Sequence, residues 1–294
     1  MLLFHFLDEL HAIDTRSEED IVKSRWAGFI NFERKVRLEN KLSEKTKKEK
    51  TVMVGSSEVH DVLPGQHKLC SIIPHLVVRP NFTEIKGVKW ITNDKSGKGR
   101  IIFPSHFNEN IEIDIGTAEN LAYYGATITN TRPDDQVTLS LRHVIEDFTY
   151  ADNYLKDYIL CKNGNNGAGL ERHRFSHLDC PMDSDNGIFV LGKFQDQEES
   201  ILHLTGFQIP AKHCMFIPGK VIHINDYLKG TWRTMLSDAA PIDYVYLEKG
   251  NEKFHFHFKN KNNDRKFQDE MSNEDNLDRK WNKIWSKYGA NRAK

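Results

Sequence analysis

Cysteine is scarce in this chain of 294 residues: Cys70, Cys161, Cys180 and Cys214 form no CxxC pair and match no zinc-binding spacing. So few scattered thiols give no disulfide framework and suit a reducing compartment. Long apolar runs are missing as well, so no segment reads as a transmembrane helix. The opening Met1–Leu7 is apolar, but it is short, lacks a basic lead and runs straight into Asp8 and Glu9. That is not the pattern of a signal peptide, and the expected location is cytoplasmic. An excess of charge of one sign is absent too, the formal net charge being −1. This balance gives no reason to expect nucleic-acid or anionic-membrane binding. Gly116 to Gly125 is no dinucleotide fingerprint, and no nucleophile elbow or Ser-His-Asp order is present. Internal repeats are absent.

What remains is ordinary globular material, 38% apolar, 28% charged and 11% aromatic. Its texture divides the chain in three. Residues 1–60 read as a helical N-terminal segment. Ser17 caps it, and Ile21, Trp26, Phe29, Ile30 and Val36 make an apolar face. Residues 61–260 carry short runs rich in Ile, Val and Phe, separated by Gly, Pro, Asn and Asp. Ile111-Glu112-Ile113-Asp114-Ile115 alternates as a half-buried strand should. One helix is expected to interrupt the strands around Leu141–Lys156. Residues 261–294 read as a helical extension bearing Trp281, Ile284, Trp285 and Tyr288. The fold expected is mostly β with flanking helices, and the chain a monomer or homodimer.

Chemistry is concentrated in Arg174-Phe175-Ser176-His177-Leu178-Asp179. H-x-D at strand spacing puts an imidazole and a carboxylate on one face, where both can reach one metal ion. A second piece is Pro218-Gly219-Lys220-Val221-Ile222-His223, an apolar strand that delivers a single histidine after a Pro-Gly turn. The third is Arg233, ten positions after His223 at the start of a further apolar strand. A guanidinium entering a barrel needs an anion, and a carboxylate suits its fork. Asp183 and Asp185, just after the H-x-D strand, are candidates for the rim of a pocket. The Gly/Asn run from Asn163 to Gly169 reads as a flexible lid leading into the H-x-D strand.

The order H-x-D, distal His, then Arg resembles the Fe(II)/2-oxoglutarate-dependent oxygenase superfamily over roughly His173 to Ser237. The resemblance implies a double-stranded β-helix, or jelly-roll, core. It implies that His177, Asp179 and His223 bind Fe(II) as a facial triad, with open positions for 2-oxoglutarate and O2. Arg233 would grip the distal carboxylate of 2-oxoglutarate. Lys193 is a second candidate for that role, since some relatives use a lysine on an earlier strand. The activity implied is oxidation of an unactivated C–H bond of a small molecule, such as an amino-acid-derived metabolite, by hydroxylation, desaturation or ring closure. Two features depart from the pattern: the gap between Asp179 and His223 is short, and Met235 stands where some members have Ser or Thr.

Two rivals share the fold. Pro218 to Asn225 also resembles the second motif of cupins, which implies a metal-dependent isomerase or lyase. His173 and His177, however, are four apart, which is wrong for one strand face. The other rival is a non-catalytic jelly-roll binding protein. Phe254-His255-Phe256-His257-Phe258 reads as a strand with phenylalanines in and histidines out.

Overall fold

The computed structural model describes residues 53–55, 60–62, 65–69, 78–92, 99–129, 135–139, 143–162, 164–237 and 242–259. The expected helices at both ends lie outside these residues. Chain contacts separate a unit ending at Phe258 from a second, Lys259–Lys294. The described residues are mostly β, with 53% strand.

In chain order the first strands are β1 (Met53–Gly55), β2 (His60–Val62), β3 (Gly65–Leu69), β4 (Thr83–Lys86) and β5 (Lys89–Ile91). Then come β6 (Gly99–Phe103), β7 (Asn110–Ile115), β8 (Thr127–Thr129), β9 (Asp135–Leu139) and β10 (His143–Tyr150). The site is carried by the next group: β11 (Gly169–His173), β12 (His177–Pro181), β13 (Phe189–Phe194), β14 (Ile201–Gln208) and β15 (Cys214–Ile217). The last are β16 (Ile222–Ile224), β17 (Gly230–Ser237), β18 (Ile242–Lys249), β19 (Glu252–Lys253) and β20 (His257–Lys259). A short helix α1 (Ala118–Ala122) is capped by Thr117, whose side chain accepts from the Asn120 N–H. Among the described residues no helix is long and apolar enough to cross a membrane.

Two large sheets face each other. One runs β1-β10-β17-β12-β15-β8, with β2 also on β10; the other runs β20-β7-β14-β13-β16-β11-β18-β6-β5, with β4 and β19 at its margins. β3 and β9 form a separate pair. Among the described residues the first to pair are Met53–Gly55, on β10.

The helix expected over Leu141–Lys156 is instead the central strand β10, bonded to β1 and β2 on one side and β17 on the other. Val144, Ile145 and Phe148 satisfy a helical period as well as a strand. The β-branched and aromatic content decides for the strand. Only the single π-helical turn Leu155–Ile159 follows it.

Trp232, Phe148, Phe189 and Phe207 are fully buried. Trp232 meets Phe189 across the two sheets with ring centroids 5.9 Å apart. These rings make one end of the interior an apolar core, and the polar groups lie beyond it.

Candidate metal centre

The site is made by one turn of chain and one distant strand. Glu171 and His173 alternate on β11, so both point to one face. Arg174-Phe175-Ser176 then reverses the chain, and His177 and Asp179 share a face of β12, which belongs to the opposite sheet. His223 on β16 pairs directly with Glu171 and with Leu191. Residues opposite one another in a ladder share a face, so His223 joins Glu171 and His173 and looks across at His177.

The three imidazoles converge. One ligand atom from each of His173, His177 and His223 lies within 4.8 Å of the others. Ring centroids are 4.4 Å apart for His177 and His223, 4.9 Å for His173 and His223, and 5.1 Å for His173 and His177. All three are buried, at 6%, 3% and 1% exposure for His173, His177 and His223. Two rings are held by backbone carbonyls: His173 Nδ1 lies 2.8 Å from the Phe175 oxygen and His223 Nδ1 2.9 Å from that of Val221. A neutral ring donating Nδ1–H in this way presents the lone pair of Nε2, the arrangement of a metal-ligating histidine.

Two carboxylates sit against the rings. Asp179 Oδ2 is 2.7 Å from His177 Nδ1, and Glu171 Oε1 is 3.2 Å from His223 Nε2. These atoms are close without being aligned as hydrogen bonds. Both nitrogens of His177, His223 Nε2, Asp179 Oδ2 and Glu171 Oε2 are buried with no hydrogen-bond partner. Unpaired polar atoms in an interior each cost about 1–3 kcal/mol. A cation held by the three converging imidazoles could satisfy several of them, and a donor set of imidazoles and carboxylates suits a first-row divalent ion.

The electrostatics follow from burial. Desolvation holds His173 and His177 well below the ordinary imidazole range, and the neighbouring rings add to it. Burial works against a charge on His223 as well, but Glu171 outweighs it and raises that ring. The Asp179 carboxyl is pushed up to about 7 by desolvation, with His223 acting in the other direction.

Of the expected residues, His177, Asp179 and His223 come together. Arg233 does not join them. On β17 it pairs with Cys180 and Asp147, and so lies on the face away from Asp179, whose ladder partner is Thr234. Its guanidinium holds Asp147 in a two-pronged contact, Nε–Oδ1 2.7 Å and Nη2–Oδ2 2.9 Å. The anion that Arg233 needs is supplied by the neighbouring strand. Lys193 lies on the same face as Leu191 and His223, near the strand end; its Nζ donates to the Tyr123 carbonyl at 3.3 Å.

Sequence reasoning set His173 aside for lying four residues from His177 and passed over Glu171. The turn between their strands, Arg174-Phe175-Ser176, carries no Gly, Pro, Asn or Asp, so only Ser176 hints at it. The run read as a lid is tied down among its described residues: Asn165 donates to the Gly167 oxygen and the Tyr244 hydroxyl, both at 2.9 Å, and Gly169 N–H donates to Asp226. Ala168 is fully buried. This segment seals one end of the site's sheet. Asp183 is exposed and accepts from the Thr231 N–H at 2.6 Å. Phe254 and Phe256 are buried and His257 is exposed as expected, but His255 is half-buried and only His257–Lys259 is strand. Comparison of the chain with family models, curated proteins and solved structures gave no match.

Proposed function

We propose that this protein is a mononuclear metal-dependent enzyme of the cupin type, on a double-stranded β-helix. His173, His177 and His223 hold a divalent ion together with Glu171 or Asp179. The observation that carries this is the convergence of three buried imidazoles whose donor atoms lie within 4.8 Å of each other, with carboxylate oxygens beside them that lack hydrogen bonds. The topology supports it. Strands β10 to β17 pass between the two sheets so that β10, β12, β15 and β17 line one wall and β11, β13, β14 and β16 the other. Such alternation between two walls supports the jelly-roll reading.

Bound there, the ion would act as a Lewis acid on a substrate carbonyl or hydroxyl. The chain supplies the rest. The Phe175 and Val221 carbonyls fix the orientation of His173 and His223. Asp179, whose carboxyl burial pushes up in the metal-free fold, is the carboxyl placed to exchange a proton when Glu171 is the ligand. Trp232 and Phe189 keep water out from below. Proton transfer beside a polarised carbonyl is isomerase or lyase chemistry.

The Fe(II)/2-oxoglutarate oxygenase reading is the second proposal, favoured by Lys193 on the same sheet face as His223. In that reading Lys193, not Arg233, takes the co-substrate's carboxylate. One experiment separates the two. Anaerobic protein is loaded with Fe(II) and titrated with 2-oxoglutarate while the visible charge-transfer band is followed. Metal bound with no band supports the cupin-type reading. A band that Lys193→Ala weakens supports the oxygenase. No metal bound at all sinks both.

A further inference from the structure

The two ends of the sandwich are not equivalent, and the difference points to the charge of the substrate. At the end nearer Gly169 the site's sheet is closed by the segment Asn165–Gly169. Tyr244 packs over Gly169 there, a Cβ on which would fall 2.4 Å from the tyrosine Cζ. Charges at that end are mixed: Asp183 and Asp185 stand there with Lys212 and Lys229. Asp183 is bonded to Thr231, Lys212 N–H to the Pro181 oxygen and Lys229 N–H to the Asn186 oxygen.

The other end is where β11 finishes at His173. Arg174 follows it immediately in the turn and is exposed. Lys220 is exposed and anchored to the same turn, its N–H donating to the His173 oxygen at 2.6 Å. The neighbouring Gly219 allows that approach, since a Cβ on it would meet the Arg174 carbonyl at 2.3 Å. Lys193 is exposed in the same cross-sheet row as His173: Leu191 and Glu171 both pair with His223, and Lys193 and His173 are each two residues further on. The acid in that row's neighbourhood, Glu84, is engaged by His203 at 3.0 Å and Lys86 at 3.2 Å. His173 thus ends its strand beside a rim of three exposed cations, with Phe175 of the same turn stacked on its ring at 3.6 Å.

We propose that this rim admits an anionic substrate of the carboxylate or phosphate class, with Arg174, Lys220 and Lys193 drawing it toward the metal centre. The inference rests on the metal-dependent reading above. Exposed charges act through field more than through single contacts, so their effect is modest per residue and sensitive to salt.

The test uses the full chain loaded with Co(II), whose visible spectrum reports a change of ligand. Cobalt uptake is read first; if the wild type takes up none, the metal reading and this inference fall together. The loaded protein is then titrated with malonate, with inorganic phosphate and with neutral acetamide, at low and high salt. The expected result is that one of the two anions changes the spectrum, more tightly at low salt, while acetamide does not; which anion acts separates carboxylate from phosphate. Arg174→Gln and Lys220→Gln each weaken that anion by roughly two- to fivefold with cobalt content unchanged. Asp185→Asn at the closed end leaves it unaltered. Anion affinity indifferent to salt and to both rim substitutions, or no response to either anion, would overturn the inference while leaving the metal centre standing.

Discussion

The buried histidines behave in two opposite ways, although His203 and His223 share the inner face of one sheet and His177 faces them from the other. His203, at 2% exposure, uses both nitrogens: Nδ1 lies 2.7 Å from the Tyr123 hydroxyl and Nε2 3.0 Å from Glu84. Phe82 stacks on its ring at 4.1 Å. It is a finished structural histidine. His177 and His223 are as deeply buried, yet they leave nitrogens without hydrogen bonds and aim them at a common space. Burial alone therefore says little about the role of a histidine. What separates the two groups is whether the polar atoms have been provided for within the fold.

The largest expected effect breaks the unfinished group. With metal at a hundredfold over its dissociation constant, the wild type should gain about 2.7 kcal/mol of stability. His177→Ala and His223→Ala should lose that gain in thermal unfolding with and without metal. His203→Ala should do the reverse, costing about 2–4 kcal/mol of stability through the cavity and the stranded Tyr123 hydroxyl while metal uptake stays intact. If His203→Ala abolished metal uptake without unfolding the chain, the contrast between the groups would be lost.

A third expectation concerns pH. In the metal-free fold Asp179 titrates at about 7, raised from 3.8 by burial. A raised carboxyl favours the fold below the unfolded pKa and loses that contribution as pH rises through the folded value. Metal-free stability should thus decline between about pH 4 and pH 7 from this group. A bound cation stabilises the carboxylate, so the gain in unfolding temperature on adding metal should widen over the same interval. A gain that is flat with pH would mean that Asp179 lies outside the site.

The smallest effect belongs to Arg233. Its pair with Asp147 is partly exposed, so Arg233→Ala should cost about 1 kcal/mol and leave metal affinity unchanged. A large loss of 2-oxoglutarate binding in that variant would restore Arg233 to the site.

The strand texture was legible because β-branched and aromatic residues alternate with polar ones between turn residues, as at Ile111–Ile115. His223 was legible as a single polar residue on an otherwise apolar strand, and His177 through the H-x-D spacing it shares with Asp179. Three things were hidden. Val144, Ile145 and Phe148 fit two periods, and only pairing with β17 on one side and β1 on the other decides for a strand. The side of β17 on which Arg233 lies depends on register, and a shift of one residue exchanges the faces. His173 and Glu171 join the site because a three-residue turn sends β11 and β12 into different sheets, which spacing along the chain does not reveal.

The most direct measurement is metal content by elemental analysis of the purified chain after equilibration with a divalent ion, wild type beside His173→Ala and His203→Ala. This account predicts one ion per wild-type chain, the same in His203→Ala, and a loss in His173→Ala. A wild type without metal, or a His173→Ala variant that keeps its full complement, would contradict it.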